Sequence, residues 1–234
     1  MSPDRRATKR VLKLLTRRYG RRTWQPGGHP VDVLVATILS QNTSAANSSA
    51  GFRKLRRRFR SWSAAADAPV RRIEECIRVS GLSRVKAPRI RSILRAIRRD
   101  RGRISLAFLR RLPPTDAVEY LMRFDGIGPK TAGCVLLFAF AAPVFPVDTH
   151  IVRIARRLAW VAPRTTAEQT QQILTPAIAP ADRYAMHVLL IAHGRKTCRA
   201  RSPRCEGCDL LDLCPDGRTR ASLPAPRPAR PCVR

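Results

Sequence analysis

The run from Phe124 to Ala132, Phe-Asp-Gly-Ile-Gly-Pro-Lys-Thr-Ala, constrains this chain more than any other stretch. Two glycines one residue apart, followed by a proline, predict a tight hairpin that opens directly into a helix. Gly126 and Gly128 supply the backbone freedom such a turn needs. Pro129 suits the first helical position, where its missing N–H costs no hydrogen bond. A helix starting near Thr115 leads into the turn, so the unit reads helix, hairpin, helix. A glycine hairpin ahead of a helix leaves backbone N–H groups free to bind a phosphate. Lys130 falls in the first turn of the second helix, where the positive end of the helix dipole disfavours its charged form. A neutral lysine amine is a nucleophile. An apolar run then continues to Val147 and meets Asp148-Thr149-His150.

Charge narrows the partner. The 234 residues hold 46 Lys+Arg against 16 Asp+Glu, a formal net charge of +30. So large a positive excess calls for a polyanion, most simply nucleic acid; a ribosomal-type or membrane-surface protein is the bland alternative. The bases are mostly arginine, and an arginine cannot readily form a Schiff base, so Lys130 is not one more positive charge. The basic start of the chain has no uninterrupted apolar stretch of the kind a signal peptide needs. The longest apolar run, Val135 to Val147, is broken by Pro143 and Pro146 and is too short to span a bilayer. The expectation is an intracellular monomer with no membrane partner. At 44% hydrophobic residues the chain can bury a core, as one large domain or two small ones.

Helical spacing of apolar residues recurs along the chain. Residues 7–19 predict an amphipathic helix ended by Gly20, and residues 31–39 a buried helix, with a strand as the alternative. Residues 51–60 predict a basic helix with Phe52, Leu55 and Phe59 on one face. Helices near 69–79 and 87–99 follow, with the turn Gly81 to Ala87 between them. A short helix falls within 105–123, before a helix that Thr115 or Asp116 can cap. Asp148 is a plausible N-cap for a helix over 149–160, and Thr165 with Glu168 forms a capping box for the next. Residues 182–193 predict a buried helix ended by Gly194, on which His187 and His193 read as structural. Residues 216–234, rich in Pro, Ala and Arg, predict a disordered basic tail with Cys232 as a spare thiol.

Four of the seven cysteines cluster in the spacing C-x6-C-x2-C-x5-C, at Cys198, Cys205, Cys208 and Cys214. In a cytosolic protein such a cluster reads as a metal site. Zinc is the generic candidate, but ribbon-type sites come as two C-x2-C pairs and only Cys205 and Cys208 make one. Four thiolates can also hold an iron–sulfur cluster. Arg199, Arg201 and Arg204 lie within the loops of this segment and suit a phosphate clamp.

These residues resemble the endonuclease III family of DNA glycosylases. The family pattern L-P-G-V-G-x-K-T-A, followed about 18 residues later by V-D-T-H, is matched by 124–132 and by the Asp148 segment. The cysteine spacing after His193-Gly194 is the one found in relatives with a [4Fe–4S] cluster. The resemblance covers about residues 10–214. It implies an all-α fold of two lobes: a six-helix bundle over 30–143, and an iron–sulfur lobe formed by 1–29 with 144–215, with DNA in the cleft between them. It places the attack on the sugar C1′ on Lys130 and the assisting carboxylate on Asp148. It puts Gln41, with Thr43 beside it, in the space left by a flipped base. It makes Gly126 and Gly128 the phosphate-binding hairpin, and Lys86, a lysine before a helix, a backbone phosphate contact. The implied function is base-excision repair by a bifunctional glycosylase and abasic-site lyase on damaged, mainly oxidised, pyrimidines in duplex DNA. Ser44, Asn42 and Asp125 depart from the family's usual residues and leave room for another lesion or a mismatched base. The adenine-specific mismatch branch usually lacks the motif lysine and uses a glutamate where Thr37 stands here. A monofunctional mismatch glycosylase, a non-catalytic DNA-binding module and a basic RNA-binding protein are the alternatives.

Overall fold

The computed structural model describes residues 2–25 and 28–222. Among them it contains α-helices and 3-10 turns and no strand. The helices are α1 Arg5–Tyr19, α2 Pro30–Ser40, α3 Ala45–Arg58, α4 Trp62–Asp67, α5 Val70–Ile77, α6 Ser83–Arg101, α7 Pro114–Met122, α8 Pro129–Phe140, α9 Thr149–Arg157, α10 Ala167–Ala177, α11 Arg183–Lys196 and α12 Pro215–Ala221. None is long and apolar enough to cross a membrane. The chain forms two compact units, one over Thr23–Pro146 and the other from the residues up to Arg22 together with those from Val147 onward.

The first unit is built around α2. Its sequence is apolar on nearly every face, so Val31, Leu34, Val35, Ile38 and Leu39 are all buried, and α3, α6 and α8 pack around it. Such a helix is stable only when enclosed, which settles the helix-or-strand alternative. Each neighbour contributes one apolar stripe, Leu55 from α3, Ile90, Leu94 and Ile97 from α6, and Val135 and Leu136 from α8, and α5, packed on α3 and α6, adds Ile73 and Ile77 to the same core. The amphipathic basic helix begins earlier than its charged stretch suggests, because Ser44 caps α3 through Asn47 N–H. The Leu/Phe segment before Leu112 is a 3-10 turn, Ala107–Arg111. Pro113 holds the N-cap position of α7, which puts Thr115 and Asp116 inside its first turn rather than at the cap.

In the second unit α1 packs on α11, where Tyr19 Oη meets Thr197 Oγ1 at 2.7 Å and His193 Nδ1 at 3.1 Å. The capping box of α10 is Thr166 with Gln169, one residue later than the Thr165–Glu168 reading, because Thr165 is held in the preceding turn by Ala162. Gly194 does not end α11, which runs on to Lys196. A Cβ there would lie 2.8 Å from the His150 side chain, so glycine lets α9 and α11 pack. The tail predicted from residue 216 begins instead as α12, capped by Cys214 Sγ and held by Asp216 between Arg157 and Arg220. Residues 223–234, with Cys232, lie outside the described residues.

Candidate functional site

In the first unit α7 and α8 are joined by the hairpin Arg123–Gly128. Ile127 N–H closes it on Phe124 C=O at 3.1 Å, and Ile127 is buried in the core. Gly126 has φ +72°, the left-handed region, and a Cβ there would run into the guanidinium of Arg89. Arg89 in turn pairs with Asp125 at 3.3 Å. Gly128 is the N-cap of α8 in extended backbone, with open space where a Cβ would stand and no side chain capping the helix. The first amides of α8 therefore lack acceptors within the helix, beside a surface hollow lined by Met122 to Gly128. Lys130 sits half-buried in this turn, and among the described residues no carboxylate pairs with it.

Gln41 comes to the same hairpin. It is the C-cap of α2, and its Nε2 lies 3.2 Å from Thr131 Oγ1 and 3.4 Å from Gly126 C=O. The next residue, Asn42, is exposed with φ +53°. Thr43 is half-buried in the turn leading to Ser44. A left-handed non-glycine residue costs on the order of 1–3 kcal/mol and tends to mark functional turns.

Lys86 is not a phosphate contact. It is 2% exposed, and its Nζ donates to Leu39 C=O and to Ser80 C=O, each at 2.9 Å. Burial lowers its pKa. Position before a helix suggested an exposed base, but Lys86 falls on the face of α6 that carries Ile90 and Ile93 inward. Sequence reasoning also passed over Leu82. It is 54% exposed and holds φ +51° at the start of α6. A large apolar residue next to the glycine of a turn was the available signal.

In the second unit Asp148 is the N-cap of α9, with Oδ1 accepting Ile151 N–H at 2.9 Å. It is half-buried. Arg153, one turn on, donates to His150 Nδ1, Gly194 C=O and Cys198 C=O, all at 2.9 Å, and ties α9 to the cysteine segment. Burial lowers the His150 pKa.

Cys198, Cys205, Cys208 and Cys214 line one cavity together with Arg157 and His193. Cys198 Sγ accepts from Arg157 at 3.2 Å and Cys214 Sγ accepts from Gly217 N–H at 3.2 Å. Burial, with the other thiols adding to it, pushes Cys208 up to about 11, and burial raises Cys205 and Cys214. Burial of Cys205, Cys208 and Cys214 in this cavity disfavours their thiolates until a metal cation joins them. Among the described residues no three His, Cys, Asp or Glu converge as ligands of a single ion. Four thiols on one cavity wall supply a donor set that a four-iron cluster takes, one thiolate per iron, and that a zinc ion also takes. Arg199, Arg201 and Arg204 are exposed on this segment, and Arg199 and Arg204 border a hollow with Arg18, Arg195 and Lys196.

Residues 35–180 match the family described as HhH-GPD superfamily base excision DNA repair protein. The chain is 35% identical over 186 residues to endonuclease III of Thermotoga maritima, covering 79% of this chain and 82% of that protein. It is 33% identical over 183 residues to endonuclease III of Sulfolobus acidocaldarius, covering 77% and 79%. The Arabidopsis thaliana protein At3g47830, named as a DNA glycosylase, is 38% identical over 70% of this chain, which spans 56% of that relative's length. Among solved structures, an endonuclease III–DNA complex matches with a TM-score of 0.80 at 27% identity, over 93% of this chain and 98% of that one. A thermostable thymine-DNA glycosylase shares the fold, with a TM-score of 0.76 at 19% identity over 91% and 97%. With the helix-hairpin-helix, Lys130, Asp148 and the four-cysteine segment all present, this chain belongs to the HhH-GPD superfamily of base excision DNA repair proteins, within its endonuclease III family of DNA glycosylases.

Proposed function

We propose that the protein is a bifunctional DNA glycosylase and abasic-site lyase that removes damaged pyrimidines, chiefly oxidised ones, from duplex DNA. The observation that carries this reading is Lys130 in the first turn of α8, without a carboxylate partner among the described residues and directly behind the glycine hairpin. A hairpin that offers amides to a phosphate brings the backbone of one nucleotide next to an amine. The name of an Arabidopsis relative that is 33% identical, DNA glycosylase/AP lyase ROS1, couples the same two activities, although this chain spans only 12% of it.

The chemistry follows from the residues. The glycosidic bond of a stacked base is out of reach, so the nucleotide is flipped out. Gln41 enters the emptied space, and Leu82 acts as an apolar wedge of the kind that parts base steps. Lys130, as the neutral amine, attacks C1′. The C1′–N bond breaks, and the base departs with the electron pair and gains a proton. Asp148, as a carboxylate, opposes the positive charge that develops on the sugar and accepts the proton the amine loses. The C1′–O4′ bond then opens, O4′ leaving with the electron pair and taking the proton from Asp148, and the resulting iminium acidifies C2′. Loss of a C2′ proton then expels the 3′ phosphate, and water releases the lysine. Gly126 and Gly128 amides hold a neighbouring phosphate, and Arg199, Arg201 and Arg204 add backbone contacts. Cys198, Cys205, Cys208 and Cys214 would hold a [4Fe–4S] cluster, which cross-links the loops that present those arginines.

Borohydride reduction on two duplexes tests the reading, one with an abasic site and one with thymine glycol. A covalent adduct on both, absent with Lys130→Ala, is the expected result. An adduct on the abasic duplex alone would keep the lyase and overturn the oxidised-pyrimidine substrate. Tight binding with no adduct on either would overturn the lyase and favour a monofunctional glycosylase or a binding module.

A further inference from the structure

Lys86 is one of the largest buried side chains among the described residues and the one among them with a charged head, and the excision chemistry gives it no part. Its two acceptors are informative. Leu39 C=O belongs to the last turn of α2, two residues before Gln41. Ser80 C=O closes the 3-10 turn Arg78–Ser80, two residues before Leu82. Carbonyls at a helix end lack partners within the helix and attract a cation. One ammonium thus joins the ends of the two elements that launch Gln41 and Leu82.

A second link runs alongside. Ser80, itself fully buried, donates from Oγ to Asn47 C=O in the first turn of α3 at 3.2 Å. Gly51, one turn further along α3, faces Ser80 so closely that a Cβ would overlap its hydroxyl. The turn Gln41–Ser44 therefore has its entry tied to the Leu82 turn by Lys86 and its exit tied to it by Ser80. Both turns carry a non-glycine residue in the left-handed region, Asn42 and Leu82, a conformation that persists only where the surroundings impose it.

We propose that Lys86 is a positioning residue, a buried staple that holds the Gln41 turn and the Leu82 turn in one register so that both enter the duplex together. The proposal rests on the wedge roles given above to Gln41 and Leu82. A lysine suits this place in the core, since three donors on a compact head reach two carbonyls and the four-carbon stem packs as apolar surface.

The test is a duplex with a tetrahydrofuran abasic-site analogue opposite 2-aminopurine, whose fluorescence rises when its stacking is broken. Wild-type protein is expected to give the rise. Lys86→Met keeps the stem and removes the donors. It should bind undamaged duplex within about twofold of wild type while its preference for the abasic duplex falls about tenfold, as expected for coupled neighbours, and the fluorescence rise is lost. Leu82→Ala should lower the same preference, and the double variant should be no worse than the poorer single one. Losses that add would show that Lys86 does not act through the Leu82 turn and would overturn the proposal. A rise that Lys86→Met shares in full would overturn it alone, whereas a wild-type protein that gives no rise would overturn the wedge reading and the staple with it. Where Lys86→Met does not fold, amide exchange on the wild-type protein decides. Residues 41–43 and 80–82 should exchange at a common rate and slow together on the abasic duplex; independent rates would overturn the proposal.

Discussion

Asp148 caps a helix and, in the proposed mechanism, also carries a charge to the site, and a pair of substitutions separates the two roles. Its Oδ1 accepts Ile151 N–H at 2.9 Å, satisfying one of the amides that the start of α9 leaves without a partner. In the proposed mechanism its negative charge opposes the positive charge that develops on the sugar. Asp148→Asn keeps a carbonyl oxygen for the cap and removes the charge. Asparagine and aspartate rank about equally as N-caps, so stability should stay within about 0.5 kcal/mol of wild type. Asp148→Ala removes both and should cost about 1 kcal/mol, which for a chain of this size is a fall of about 2–4 °C in Tm. The loss stays local because Ile151, Ile154 and Ala155 remain buried on the inward face of α9. Excision should fall by about 10²–10³ in both variants, the usual cost of removing one electrostatic stabiliser of a developing charge. Thermal unfolding and single-turnover release of thymine glycol would be measured side by side. The signature is two variants alike in rate and unlike in Tm. Asp148→Asn excising at the wild-type rate would refute the role of the charge. Asp148→Asn melting as low as Asp148→Ala would refute the cap as the contact that matters.

The hairpin glycines should behave unequally. Gly126→Ala meets a left-handed backbone and the Arg89 guanidinium, and should cost about 1–2 kcal/mol in denaturant titration from the backbone alone. Gly128→Ala meets open space in extended backbone and should fall within about 0.5 kcal/mol of wild type. Gly194→Ala would press against His150 across α9 and α11, and should lower stability by about 1–3 kcal/mol, as overpacking does; an unchanged Tm would show that the two helices part freely. Cys208→Ser replaces a soft thiolate by a poor hydroxyl ligand. Iron content and visible absorption should both drop, and retention of both would refute the assignment of Cys208 as a ligand.

The hairpin was legible because its signals are covalent: glycine and proline restrict the backbone wherever they stand. Asp148 was legible as a cap for the same local reason. The capping box of α10 was not, because Thr165 and Thr166 are equally good caps by residue type, followed at the right distance by Glu168 and Gln169. Only the turn that holds Thr165 to Ala162 decides between them. Gly194 misled because glycine near a helix end reads as a stop, while its use here is to admit His150 from another helix. The short α4 carries one clear signal, Ser61 capping Ala64 N–H, but a helix of 6 residues shows no periodicity to read. Failures such as Gly194 share a cause with Lys86: the deciding contact comes from a residue distant in sequence.

The two lysines extend the same point to the site. Of the 46 basic residues only six are lysines, and Lys86 and Lys130 both stand in the opening turns of helices. The glycines separate them in sequence, favouring Lys130 for chemistry, but they assign Lys86 nothing better than a phosphate. Burial supplies the distinction. A guanidinium is a planar fork whose five donors two carbonyls cannot satisfy, so arginine in the place of Lys86 would bury unpaired N–H groups. At Lys130 the obstacle to arginine is different, since a guanidinium is never neutral and forms no Schiff base. On the roles proposed above, lysine is required at both positions in an arginine-rich chain, once for the shape of a buried head and once for the reactivity of an accessible one.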